Sequence, residues 1–238
     1  MKTKSKIYLK TALTTISIGK PVIFWDTCAL LEMLRLPERS GYPGRDFDQY
    51  VFIAEKIASG DLISVTSELV FQEFNQHYLE ELTGLRKHEQ KQRDEIKKIT
   101  AIMKSGQKRK RIEAGVDAMH TETRVTSTIS KIWKNTILIR EQKSFLQYAY
   151  TRVKFKMAPS KNKEQFKDSY IWGTFMNLAH GLVGYPKMLF FTLNKKDYLD
   201  PNNGRLMPQI VTDISVLPNV EFHHVLGSVF GSVSAMFP

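Results

Sequence analysis

Unbroken apolar runs alternate along this chain with stretches of helical apolar spacing, and several of the runs stop on polar residues. Val22-Ile23-Phe24-Trp25 places four strand formers in a row, closes on Asp26-Thr27, and gives way to a helical period in Ala29-Leu30-Leu31-Glu32-Met33-Leu34. A buried parallel strand leading into a helix produces this pattern, because a strand covered on both faces needs no polar alternation. Leu62-Ile63-Ser64-Val65 predicts a second strand, and Thr66-Ser67-Glu68 then supplies a capping hydroxyl and an early negative charge for a helix. That helix carries Leu69, Val70, Phe71 and Phe74 as its apolar side, with Glu73 in its second turn. The period alone leaves Glu73 facing either the sheet or water.

From Arg86 to Arg111 the character changes: eleven Lys or Arg stand against three Asp or Glu, with Ile96, Ile99, Ile102 and Met103 at helical spacing. This predicts a basic amphipathic helix, broken at Gly106, and a second helix through Val125, Ile129, Ile132, Trp133 and Ile137. Together they read as a helical insertion over about 84–157, which divides a core of about 20–83 and 158–225. Gln147 to Lys156 interleaves Tyr148, Tyr150 and Phe155 with Arg152, Lys154 and Lys156, and Pro159 ends that segment. A further helix is expected from near Asn162, with Gln165 as a partial capping signal and Phe166, Tyr170, Phe175 and Leu178 as its apolar side. Asp168 falls in its opening turns, and Glu164 lies one turn earlier on the same side. Met188 to Leu193 predicts another strand, running into a turn with Thr192, Asn194 and Asp197. The tail from Val225 to Phe237 mixes apolar residues with two glycines and three serines, which reads as a last strand with an irregular end.

The 238 residues are 42% apolar, ample for the core of one domain. A formal net charge of +11 points to a polyanionic partner, and for such a chain nucleic acid is commoner than an anionic membrane. Lys104, Lys108, Arg109, Lys110 and Arg111 could neutralise a phosphate backbone, and Arg152 and Lys154 could do so beside tyrosines that stack on bases. A solvated helix face and half-buried packing tyrosines account for the same residues without any ligand. The single cysteine, Cys28, excludes an internal disulfide framework and cysteine-based zinc sites, so a reducing cytoplasm fits. Lys10 and several threonines interrupt the N-terminal apolar residues, so no signal-peptide core is expected, and nothing approaches the ~18 apolar residues of a membrane span. Glycine-rich phosphate loops and a Gly-x-Ser-x-Gly elbow are missing from the sequence, which weakens dinucleotide, NTP and serine-hydrolase readings. His77 shares the Glu73 side of its helix, while His223 and His224 are neighbours in an expected strand and so point to opposite faces.

Asp26, Glu73, Asp168 and Asp197 thus each sit beside an apolar run, and a carboxylate at a strand's last position faces the crevice beyond the sheet. Val22 to Leu34 with Asp26-Thr27, the Glu73 helix, Phe166-Lys167-Asp168-Ser169-Tyr170-Ile171 and Phe191-Thr192-Leu193-Asn194-Lys195-Lys196-Asp197-Tyr198 follow the order found in PIN domains. The chain resembles a PIN-like ribonuclease. That resemblance implies a single three-layer α/β/α domain over 1–238, with a central parallel sheet and an acidic pocket for one or two Mg²⁺ or Mn²⁺ ions. It places Asp26, Glu73 and Asp168 at three recurrent acids of the family. Asn194 stands where the fourth acid is usual, so Asp197 takes that role, with Asn194 as a further ligand or orienting amide. Thr27 and Thr192 would hydrogen-bond the carboxylates, Glu164 would be an auxiliary acceptor, and Cys28 would be a packing residue. The implied reaction is metal-dependent phosphodiester hydrolysis, with RNA favoured over DNA as substrate. Implied partners are an antitoxin or other regulatory protein and a second copy of the chain, with no membrane. The competing reading is an inactive nucleic-acid-binding or protein-interaction module that uses the basic middle.

Overall fold

A computed structural model describes residues 5–16, 19–39, 43–102, 121–160, 166–184 and 187–237. Among these, six strands form one sheet: β1 (Ser5–Ile7), β2 (Val22–Trp25), β3 (Ile63–Ser67), β4 (Thr136–Ile139), β5 (Met188–Phe191) and β6 (Val220–His223). Their order is β1-β4-β3-β2-β5-β6 and every pairing is parallel. The helices are α1 (Leu9–Thr15), α2 (Thr27–Arg35), α3 (Pro43–Ala58), α4 (Glu68–Ile102), α5 (Thr121–Lys134), α6 (Lys143–Lys154), α7 (Phe166–Gly181), α8 (Lys195–Tyr198), α9 (Pro208–Ser215) and α10 (Leu226–Met236). One group packs α2 with α4 and α3 with α5 and α10, while α6, α7 and α1 form another. This is the expected α/β architecture, a parallel sheet flanked by helices.

The apolar runs explain the sheet. Every residue of β2, β4 and β5 is buried, as strands with helices on both faces require. Phe24, Phe190, Phe175, Trp172, Tyr198 and Phe222 form one aromatic cluster, with Trp172 set edge-on to Phe190 at 5.0 Å. Trp25, Tyr50 and Phe191 form another. Polar side chains inside the sheet are matched in pairs: Trp25 Nε1 donates to Ser64 Oγ at 2.9 Å, and Ser64 and Thr136 hydroxyls meet at 2.7 Å. The Trp25 indole and the Ser64 and Thr136 hydroxyls thereby recover the hydrogen bonds they lose to water.

Three expectations need correction. Ile137 lies in β4, not in a helix, so the middle of the chain contributes a strand to the sheet as well as helices. The misreading has a physical cause, because a fully buried strand has no period of its own and Ile137 falls four residues after Trp133. The tail forms α10 and not a strand: Leu226, Val229 and Val233 are buried at helical spacing, a signal that the intervening Gly and Ser obscured. The Glu73 helix and the basic helix are one continuous α4 as far as Ile102, and the expected break at Gly106 lies outside the described residues.

Arg152 is also corrected. It is buried in α6, where Nη2 ion-pairs with Asp213 of α9 and Nη1 donates to the Ala158 carbonyl. Its guanidinium lies over the Tyr148 ring at 4.9 Å, and Asp213 Oδ2 also accepts from Trp172 Nε1 at 2.7 Å. Alternating aromatic and basic residues on a helix place some cations inward, and this one joins α6, α7 and α9 out of reach of a phosphate backbone. Lys154 stays exposed. Arg152→Ala leaves Asp213 without its ion partner and should cost about 3 kcal/mol in chemical denaturation, while Lys154→Ala should stay within about 0.5 kcal/mol. Equal, small effects would place Arg152 outside the core.

Candidate active site

Sheet order reverses at β2. The chain steps from β2 through β3 to β4 on one side, then places β5 and β6 on the other, and ligands bind beyond the carboxyl ends of strands at such a switch point. Asp26 stands at that point. Its backbone N–H donates to Phe191 O of β5 at 3.0 Å, continuing the β2–β5 ladder by one residue, and it caps α2. Its carboxylate is buried and held from three sides: Oδ1 accepts from the Thr27 N–H at 2.6 Å, and Oδ2 accepts from Thr192 Oγ1 at 2.5 Å and from Cys28 Sγ at 3.2 Å. Burial raises the Asp26 pKa, the three hydrogen bonds oppose it, and the charge of Glu73 adds to it.

Glu73 reaches the same cleft from α4. Ser67 at the end of β3 accepts from the Val70 N–H at 3.2 Å, which starts the helix and carries Glu73 over the sheet's end. Glu73 Oε2 accepts from Thr27 Oγ1 at 2.7 Å, and Oε1 ion-pairs with Lys167 Nζ at 2.8 Å. Its direction, open in the sequence, is inward.

Asp168 comes from the opening turn of α7. Asn194, which precedes α8, donates from Nδ2 to Asp168 Oδ1 at 3.2 Å, and its own N–H donates to Thr192 Oγ1 at 3.0 Å. Burial, then the charges of Asp26 and Asp197, push the Asp168 pKa up to about 8, with Glu73 adding and the Asn194 amide opposing. Asp197 is buried in α8, close enough for its charge to reach Asp168. A cleft of about 320 Å³ is lined by Asp26, Glu73 and Asp168 with Thr27 and Asn194, and it does not include Asp197.

The structure therefore brings Asp26, Glu73, Asp168, Asn194, Thr27 and Thr192 together, with Asp197 behind them. His77 and Arg35 also line the cleft. Glu164, Lys104, Lys108, Arg109, Lys110 and Arg111 lie outside the described residues. Cys28, expected as packing, is instead part of the hydrogen-bonded frame: besides its contact with Asp26, its Sγ accepts from the Leu193 N–H at 3.1 Å and lies 3.3 Å from Thr192 Oγ1. Burial, then the Asp26 charge, pushes its thiol pKa well up, so it acts as a neutral donor. Lys167 was missed as well, although its place next to Asp168 in the sequence was the available signal.

Among the described residues, no group of three or more Asp, Glu, His or Cys side chains is placed to hold a metal ion. The donor set nevertheless fits a hard divalent cation. Mg²⁺ is ordinarily bound by one or two carboxylates, with waters and substrate phosphates filling the other positions. Asp26 and Asp168 offer such carboxylates, and their raised pKa values mark sites where a nearby cation relieves burial and mutual repulsion. Lys167 already neutralises the Glu73 corner.

Comparison with protein-family models matches residues 23–198 to the PIN domain. More than half of the chain is matched, and the chain belongs to the PIN domain family. Membership indicates a nuclease-type hydrolase, in a family that typically uses divalent metals. Comparison with curated proteins and with solved structures returns no match. Among the described residues, no helix is long and apolar enough to cross a membrane.

Asp168 links this site to stability. Its pKa of about 8 lies above the ordinary value of 3.8, so the folded state holds a proton that the unfolded state releases. This contribution is fully present below about pH 4 and is lost as pH rises through about 8. In EDTA, the wild type should lose Tm relative to Asp168→Asn between pH 5 and pH 8, by on the order of 5 °C, and Mn²⁺ should restore it. A Tm difference constant with pH would show that Asp168 titrates normally.

Proposed function

We propose that the chain is a metal-dependent endoribonuclease that hydrolyses phosphodiester bonds in the acidic cleft. The observation that carries this reading is the convergence of Asp26, Glu73 and Asp168, from three separate elements, on one cleft at the sheet's switch point. Asp26 and Asp168 would hold Mg²⁺ or Mn²⁺ directly, with Asp197 or Asn194 completing the set. The ion, when bound, supplies polarisation of the scissile phosphate and a lowered pKa for a water molecule.

The protein's own groups do the positioning. The Thr27 N–H, Thr192 hydroxyl and Cys28 thiol leave the Asp26 carboxylate little freedom to rotate. Asn194 orients Asp168 through its amide N–H. Glu73, held by Thr27 and paired with Lys167, would bind through a water molecule or aid its deprotonation, and hydrolysis in this sense would leave 5′-phosphate and 3′-hydroxyl ends. The net charge of +11 supports a nucleic-acid substrate, with Lys104, Lys108, Arg109, Lys110, Arg111 and Lys154 on its phosphates. An antitoxin or other regulatory protein, or a second copy of the chain, would be its protein partner, and the cytoplasm its compartment.

One observation favours a second reading, a binding module without catalysis: Asn194 presents an amide N–H to Asp168 in place of another carboxylate. Labelled single-stranded RNA, tRNA and DNA, incubated with Mg²⁺, Mn²⁺ or EDTA, separate the two. Cleavage of RNA should require metal and fall at least about 100-fold in Asp26→Asn and Asp168→Asn, with RNA affinity within about threefold of wild type. Binding without cleavage under every metal condition would establish the inactive module instead.

A further inference from the structure

Beside the acidic cleft lies a second cavity of about 310 Å³, and the two share Cys28 and Arg35 in their walls. Their linings differ in charge. Three carboxylates face the cleft beside the shared Arg35, whereas the second cavity adds Arg39 and Lys195 against Glu32 and Asp46, with His224 also in its lining. Glu32 is buried and ion-pairs with Arg39 Nη1 at 2.6 Å, while Arg35 ion-pairs with Glu81. Each guanidinium on this wall thus has a carboxylate partner, and Arg39 remains largely exposed. In the same lining, burial and then the Lys195 charge lower the His224 pKa, which leaves a neutral imidazole near an ammonium.

The opening turn of α10 forms another part of the wall, through Leu226 and Gly227. Val225, which precedes the helix, makes no side-chain cap, and its carbonyl takes the Ser228 and Val229 N–H groups. The first N–H groups of a helix favour an anion, and here they share one cavity with Arg39 and Lys195. A side chain added at Gly227 would meet only open space.

An acid-lined hydrolytic cleft repels the polyanion it must hold, so a strand needs cationic contacts close by. A cavity of this size suits one small polar unit. We propose that the second cavity is a nucleotide subsite, which takes the nucleoside phosphate unit adjoining the bond cleaved in the acidic cleft. Lys195, Arg39 and the α10 opening turn hold its phosphate. This assignment rests on the nuclease reading for its role, but binding can be tested without catalysis.

Two variants address the cavity. Lys195→Gln removes a cation. Gly227→Asp adds a negative charge where the helix dipole favours it, so the fold should survive, as an unchanged Tm would show. Uridine 5′-monophosphate and inorganic phosphate are titrated calorimetrically in EDTA, and single-stranded RNA cleavage is followed in Mn²⁺. Uridine 5′-monophosphate affinity should fall about tenfold in each variant, and KM for RNA should rise similarly, with kcat within about twofold. Asp168→Asn should bind the nucleotide at least as well as wild type.

Nucleotide binding that is unchanged in both variants, or lost in Asp168→Asn alone, would overturn the subsite. Inorganic phosphate binding as tightly as the nucleotide would overturn the nucleotide assignment. Should the wild type cleave RNA with KM unaltered in both variants, the nuclease reading stands and the subsite fails. Nucleotide binding that depends on Lys195 and Gly227, without cleavage of any substrate, supports the subsite and rejects the nuclease reading.

Discussion

The rest of the structure depends on the place where β2 ends against β5. A parallel sheet whose strand order reverses leaves a crevice there, and Asp26 fills its floor with a buried carboxylate. Burying an isolated carboxylate is costly unless hydrogen bonds or opposite charge compensate. Thr27, Cys28 and Thr192 supply the hydrogen bonds, and they come from both sides of the reversal. The group most demanding to bury thus joins the start of α2 to the end of β5.

Around that floor burial and the neighbouring acids raise the pKa values of Asp26 and Asp168, and cations are set at the margins. Lys167 pairs with Glu73 on one side, and Arg35 stands on the other, facing both cavities. Elsewhere, buried cations serve packing, as the pairing of Arg152 with Asp213 between α6 and α9 shows.

Much of the fold was legible because fully apolar runs and polar stops carry direct physical meaning. Val22–Trp25 and Met188–Phe191 are strands because nothing polar interrupts them, and Asp26 and Thr192 follow at their ends. Where two periods coincide the sequence is ambiguous, and Thr136–Ile139 therefore passed for the continuation of a helix. Gly and Ser are weak helix formers, yet α10 forms because Leu226, Val229 and Val233 bury one face against the core.

By itself, the sequence determined the class of architecture, the places where strands hand over to helices, and the acids Asp26, Glu73 and Asp168 near the starts of three helices. Each follows from local patterning, since burial on two faces, capping and the end of an apolar run act within a few residues. Only the tertiary structure decided that Glu73 faces inward, that Cys28 accepts from the Leu193 N–H, that Arg152 is buried and that a cavity lined by Arg39 and Lys195 adjoins the acidic cleft. Those outcomes depend on contacts between residues tens to more than a hundred positions apart, and a sequence period sets a side chain's angle around its own element without fixing what that element packs against.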